Sequence, residues 1–320
     1  MIVLFLIGTF GNIHTILVYW RVVEMQERSH VRTIIIWLSA VDLTTCVVVM
    51  PFETILVRLW FSVSSNAVCK LIRYIAHTTV VSSCLILTVI GHERYRNIYS
   101  ILLGTKSEER RVICKINRWL KGKSTHFRQN FICSFILIFC SVLFTPIFVF
   151  LGIETVPLNF PNIYGTQCIT LKQYRSSLTA GLYSAVGGLL GLFCFMYCCF
   201  CYGKILYLIY KQYKKEKARR KTSIHLRAKV HKAQQSSNYK KRKPKYKVTI
   251  SLLAVTLLSF CSLVLYSIGS AIIVSNSPLK DATITLLLMR ACFINNACNP
   301  IIYFICDNKY RQACKKLYIK

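Results

Sequence analysis

Seven stretches of this chain are long and apolar enough to cross a bilayer, near residues 1–20, 33–57, 71–92, 131–153, 179–210, 248–275 and 282–306. The hydrocarbon core of a bilayer is about 30 Å thick, and a helix rising about 1.5 Å per residue needs about 20 residues to cross it. Backbone N–H and C=O groups find no water there, so each crossing has to be helical. The expectation is an all-α membrane protein, a seven-transmembrane helix bundle over residues 1–306. Residues 307–320 form a short cytosolic tail, in which Asp307 to Leu317 is basic and amphipathic. That stretch reads as an eighth helix lying in the interface. No internal repeat and no separate soluble domain is visible.

The placement of charge sets the orientation. Of the 42 Lys and Arg residues, 35 fall in segments 21–32, 94–128, 204–247 and the tail after 306. The others are Arg58, Lys70, Arg73, Lys172, Arg175, Lys280 and Arg290. Basic connections stay in the cytosol, which puts the N-terminus outside in a multi-pass plasma-membrane protein. A net charge of +31 would suit a nucleic-acid partner, but the basic residues avoid the apolar runs, so no nucleic acid is expected. Segment 211–247, dense in Lys and Arg, reads as a solvated extension of the fifth and sixth helices beside anionic lipid. The 16 cysteines are scattered and lack zinc-type ligand spacing. Cys198, Cys199 and Cys201 crowd one apolar run and read as inert core or lipid-facing thiols. The first segment lacks a basic start and a cleavage site, so it reads as a span. Eleven residues precede Asn12, and the helix is expected to begin at the membrane surface.

The third span carries chemistry at both ends. From Cys69 to Arg94 is 25 residues, roughly 37 Å of helix. A thiol therefore sits at one membrane face and Glu93-Arg94-Tyr95 at the other. In span two, Leu38-Ser39-Ala40-Val41-Asp42-Leu43 puts an ionisable group in mid-membrane, which is a functional hypothesis by default. Span one contains Gly11-Asn12. Span seven ends in Asn295-Asn296-Ala297-Cys298-Asn299-Pro300-Ile301-Ile302-Tyr303, where the proline frees a carbonyl and asparagine can satisfy nearby backbone.

In this order and spacing these motifs resemble the rhodopsin-like (class A) G-protein-coupled receptors, over nearly the whole chain. The resemblance implies a disulfide from Cys69 to Cys168, the one other cysteine on the outer loops. It implies a coupling and switch set of Glu93, Arg94, Tyr95, Tyr202, Asn299, Pro300 and Tyr303. At rest Glu93 would hold the Arg94 guanidinium, and activation would swing Arg94 towards Tyr202 and Tyr303. Asn12, Asp42, Ser83, Asn295 and Asn299 fall at mid-membrane positions that ring a sodium ion in that family, with Asp42 and Ser83 as the metal ligands. The other reading of this ring is a water-filled hydrogen-bond network. Cys314 is a palmitoylation candidate or a bare tail thiol.

The resemblance also narrows the ligand. Amine receptors place an aspartate where this chain has Ala76, and opsins a lysine where it has Phe293. What remains at the mouth is Glu53, Arg73 and Arg290, with Tyr74 and Tyr174 near the entrance. Charges of both signs suit a peptide; equally, Glu53 and an arginine can simply pair. Pro51 matches a family kink. The chain departs from the family in span four, which lacks a tryptophan but keeps Pro146, and in span five, which lacks the mid-helix proline. In span six, Leu258-Ser259-Phe260-Cys261-Ser262-Leu263-Val264 keeps only the cysteine of the usual Phe-x-x-Cys-Trp-x-Pro.

There is no Gly-rich phosphate loop, no HExxH and no Ser/His/Asp set joined by spacing, so no enzyme is expected. The expected function is a neuropeptide-receptor-like protein that binds an extracellular ligand and activates a heterotrimeric G protein. No cofactor is expected beyond a sodium ion. The alternatives are a receptor for a small chemosensory or lipid ligand, a non-signalling decoy, and a membrane transporter or channel.

Overall fold

The computed structural model describes residues 1–22, 29–58, 62, 64–103, 110–157, 164–175, 177–227, 244–274 and 282–318. Helix dominates, as lipid requires of a backbone with no other partner. Span one is Ile2–Arg21. Span two runs through Ser29–Thr44, a π-helical turn at Thr45–Val49, and Met50–Arg58. Span three is Asn66–Leu103. Span four is Arg110–Phe144 followed by Ile147–Phe150. Span five is Leu178–Arg227, span six is Pro244–Val274, and span seven is Ala282–Arg290 with Cys292–Cys306. The tail helix is Asn308–Tyr318.

Five of these helices are long and apolar enough to cross a membrane: Ile2–Arg21, Val31–Ile55, Asn66–Tyr99, His126–Phe150 and Gly181–Lys215. The apolar windows of spans six and seven, Leu253–Gly269 and Cys292–Cys306, are shorter. Span seven is interrupted at Ala291, where Ala291 N bonds Leu288 O and Ile294 N bonds Ala291 O, each three residues back rather than four.

Prolines explain two further irregularities. Pro51 has no N–H for the carbonyl of residue 47, and its ring crowds that turn. The helix widens just before it, and the Met50 N–H bonds Thr45 O, five residues back. At Pro146 span four tightens, with Thr145 N on Val142 O and Phe148 N on Thr145 O. The expected end of this span at residue 153 is corrected: the helix stops at Phe150, and Leu151–Pro157 is a strand, β1. It pairs antiparallel with β2, Tyr164–Thr170, with Cys168 opposite Ile153. Ser62 bridges to Thr166 beside it.

The bundle's outer surface is apolar, and polar side chains are buried within its largely apolar core. Phe10, Trp20, Phe131, Ile138, Phe193 and Phe304 are exposed, while Asn12, Asp42, Ser83 and Asn299 are buried. With lipid as apolar as leucine, helices associate by close packing and hydrogen bonds. Gly8 and Gly11 permit that closeness in span one. A Cβ on Gly8 would collide with the Cys46 thiol, and one on Gly11 would lie 2.9 Å from the Pro300 ring. The tail helix packs back on span one, where Tyr310 and Thr15 hydroxyls share a hydrogen bond of 2.8 Å.

Gly11→Leu should therefore lower the Tm of the purified chain in detergent, by an amount corresponding to about 1–3 kcal/mol of overpacking. Gly203→Leu, at a position with nothing within 4 Å of an added Cβ, should leave the Tm unchanged.

Candidate functional site

At the outer end, Cys69 and Cys168 form a disulfide with Cα atoms 5.7 Å apart, closing a sequence separation of 99 residues. It ties β2 to the top of span three. Lys70 Nζ donates to Phe148 O at 2.8 Å, and the Tyr74 hydroxyl donates to Ser141 O at 3.1 Å, so span four is tied to the same end. Tyr174 sets its ring edge-on to Phe150.

Beneath this hairpin three of the sequence-assigned mouth residues come together. Glu53 Oε1 lies 2.9 Å from Arg73 Nη1, and Oε2 lies 3.6 Å from Arg290 Nη2. The carboxylate is the covered member, with 6% side-chain exposure against 21% for Arg73 and 13% for Arg290. Spans two, three and seven thus meet in one ion-paired group. Next to it lies an apolar cluster of Cys46, Val49, Met50, Cys292, Phe293 and Ala297, with Ala76 and Tyr266 packed on it.

In mid-membrane the Asp42 carboxylate is fully buried. Ser83 Oγ donates to Oδ1 at 3.0 Å, Asn296 Nδ2 donates to Oδ1 at 2.8 Å, and Asn299 Nδ2 donates to Oδ2 at 2.6 Å. The expected ring therefore changes by one residue: Asn296, not Asn295, is the second amide on Asp42. Asn295 is also buried, and its amide oxygen has no hydrogen-bond partner among the described residues. Asn12 acts at one remove, donating to Gly8 O and Asn296 O, both at 2.9 Å. Asn296 O is the carbonyl four residues before Pro300, the one that a proline leaves without its helical donor. Asn12 on span one supplies that donor, a role the sequence reading gave to an asparagine within span seven.

Four amide oxygens, on Asn12, Asn295, Asn296 and Asn299, are buried without a partner among the described residues. Hard cations take oxygen ligands. These amide oxygens and the Asp42 carboxylate are donors of the chemical kind a sodium ion takes.

At the inner end, the ion pairs of Glu93 are with Arg128 Nη2 at 2.8 Å and Arg96 Nη1 at 3.6 Å. These are partners beyond the Arg94 that the sequence reading gave to Glu93. Adjacent residues on a helix do not face one another, whereas i and i+3 do. Arg128 reaches Glu93 from span four, whose inner end is also held by Thr33–His126 at 2.6 Å and by Trp37 Nε1 donating to Asn130 Oδ1 at 2.9 Å. Arg94 is half-buried beside this group. Tyr95 sets its ring near Tyr99 and Phe200. The Tyr202 hydroxyl accepts from Thr256 Oγ1 at 3.5 Å. Tyr303 is buried, with its ring 6.0 Å from Tyr310.

Cys314 lies on the covered face of the tail helix, with Sγ 4.0 Å from His14 Nδ1, and burial raises its thiol pKa. A covered thiol with less thiolate is a poor acyl acceptor, so this geometry does not suit palmitoylation.

Polar groups in mid-membrane, a disulfide-tied outer mouth and an acid-arginine inner end define a seven-helix membrane receptor. The profile of the 7 transmembrane receptor (rhodopsin family) matches residues 11–303, and the chain belongs to that family. It is a multi-pass plasma-membrane receptor and not an enzyme, which sets aside the transporter or channel reading. Over 97 residues it is 33% identical to neuropeptide Y receptor type 6 of Mus musculus; the matched part is 30% of this chain and 26% of the mouse receptor's length.

Asn296→Ala should destabilise the purified chain by about 1–3 kcal/mol, the cost of leaving a buried acceptor short of a donor. Asn295→Ala should cost clearly less. Thermal unfolding of both variants, compared side by side, checks which amide serves Asp42.

Proposed function

We propose that this chain is a G-protein-coupled receptor for an extracellular peptide, with its N-terminus outside. Agonist at the outer mouth biases a two-state bundle, and the inner ends of spans three, five and six engage a heterotrimeric G protein. The observation that carries this reading is the Glu53–Arg73–Arg290 group, which joins three spans beneath a disulfide-tied hairpin. Ligand contact there bears on all three helices at once. The local likeness to a neuropeptide Y receptor supports a peptide. A sodium ion at Asp42, with Ser83 beside it, stabilises the resting bundle in this reading.

Arg94 is the coupling residue. Arginine suits the role because it stays charged and carries five donors in a fixed fork. A second reading, a decoy that binds without signalling, draws on the sixth span, which carries neither tryptophan nor internal proline from Lys245 to Val274.

A peptide library screened on cells expressing the chain, with calcium and cyclic-nucleotide readouts, should yield an agonist. Arg94→Ala should then abolish signalling while agonist binding and surface expression persist. Glu93→Gln, which releases Arg128 and Arg96, should raise agonist-free signalling. Normal signalling by Arg94→Ala at the cell surface would refute the coupling role, and binding without signalling by the unaltered chain would favour the decoy.

A further inference from the structure

We infer that the group at the outer mouth recognises a carboxylate, so that the ligand presents an anion to Arg73 with an apolar side chain next to it. This rests on the reading of Glu53, Arg73 and Arg290 as the ligand pocket. The sequence admits ligands of either charge there, because residues of both signs are present. The geometry separates them.

Glu53 is the covered partner of the three. A basic group entering from outside meets two guanidiniums before it reaches the carboxylate, and both carboxylate oxygens already face an arginine. The sum over the group is two positive charges against one negative. A cationic ligand would have to displace an arginine; an anionic one would not.

Arg73 is held without being saturated. Its Nη1 is 2.9 Å from Glu53 Oε1, yet Oε1 has no hydrogen-bond partner. The contact is an ion pair by distance that leaves Oε1 without a hydrogen bond. Among the described residues no hydrogen bond from the Arg73 guanidinium is formed, and the side chain keeps 21% exposure. A partly desolvated guanidinium with its fork of donors open is suited to accept a carboxylate two-pronged. Glu53 anchors the cation at that place and offsets part of its charge.

The neighbouring surface defines the rest of the ligand. Ala76, one turn further into span three, and Tyr266 of span six pack on the cluster that contains Phe293. A cation beside an apolar wall matches a peptide whose free C-terminal carboxylate adjoins a bulky apolar side chain. An acidic side chain next to such a residue offers the same chemistry, and the experiment separates the two.

The full chain in nanodiscs is titrated with three probes, N-acetyl-Gly-Phe with a free carboxylate, its C-terminal amide, and N-acetyl-Asp-Phe amide, and thermal stability is read for each. The free carboxylate should raise the Tm and the Gly-Phe amide should not. Stabilisation by the Asp-Phe amide as well assigns the recognition to a carboxylate in general, and its absence assigns it to a C-terminus. Arg73→Gln should weaken the carboxylate probe by at least roughly tenfold, the loss of a charge-assisted bond. Arg73→Lys, which keeps the charge without the fork, should fall between. Glu53→Gln should leave the probe bound as tightly or more tightly, whereas a site for cations would lose its ligand.

Stabilisation by the Gly-Phe amide equal to that by the acid, or no response to either carboxylate, would overturn the inference. The receptor reading fails separately. If no G protein exchanges nucleotide in membranes carrying the chain while the carboxylate still binds through Arg73, the anion site stands and the receptor role falls. If a peptide without any carboxylate signals with potency unchanged in Arg73→Gln, the receptor role stands and the anion site falls.

Discussion

The Asp42 carboxylate is fully buried, and its oxygens accept from Ser83 on span three and from Asn296 and Asn299 on span seven. Lipid offers no substitute for any of those donors, so separating the three helices would leave a polar group stranded. Other features of the bundle follow from this arrangement. Pro300 next to Asn299 costs span seven a backbone donor at Asn296 O, and Asn12 replaces it from span one. For Asn12 to reach that carbonyl, span one has to lie against spans two and seven almost backbone to backbone. Gly8 and Gly11, which would collide with Cys46 and Pro300 if they carried a Cβ, allow it. The tail helix then rests on the same span through Thr15 and Tyr310.

Much of this was legible in the sequence, for physical reasons that differ from one feature to another. Helix positions follow from a length that lipid imposes, so the run near 1–20 matches Ile2–Arg21 to within one residue at each end and that near 71–92 lies inside Asn66–Leu103. The outer end of span four was misread because Leu151, Gly152 and Ile153, the first residues of β1, are as apolar as a helix end, and apolarity alone does not separate a strand from a helix. Asn295 and Asn296 stand four and three residues before Asn299, so spacing puts both on one helix face. The rotation of the helix, fixed by packing, decides between them. Arg128 belongs to a span whose register against span three no local pattern records. Cys314 was read as a palmitoylation candidate or a bare tail thiol because the surface that covers it, around His14, is 300 residues away in sequence.

The two ionic groups divide the bundle unequally. At the outer end Glu53 joins spans two, three and seven, and at the inner end Glu93 joins spans three and four. Among the described residues neither carboxylate forms an ion pair with span five or six. Span five bonds span three through the Tyr197 hydroxyl, 2.7 Å from His92 Nδ1, and the other described hydrogen bonds of these two spans to span three are softer. Cys84 Sγ approaches Ser259 Oγ at 4.0 Å, and Cys198 Sγ approaches Thr88 Oγ1 at 3.7 Å. Span five holds span six by the stack of Phe195 on Phe260 and the long bond from Thr256 to Tyr202.

A cavity of about 20 Å³ lies where these contacts meet, lined by Cys84, Thr88, Cys194, Cys198, Ser259 and Phe260 among others. It has room and polar groups for one water molecule. Among the described contacts, motion of span six against this face breaks a thiol–hydroxyl approach, a long hydroxyl bond and an aromatic stack, while moving spans two, three or seven would break charge-assisted bonds in a dry interior. A proline kink lets half of a helix swing while the other half stays packed. From Lys245 to Val274 span six has no proline at which to bend. Without that kink, outward motion of its inner end by tilting or sliding of the helix carries Tyr266 at the outer mouth with it. Displacement of the helix at Tyr266, beside the outer ionic group, is then linked to displacement at Thr256, nearer its inner end.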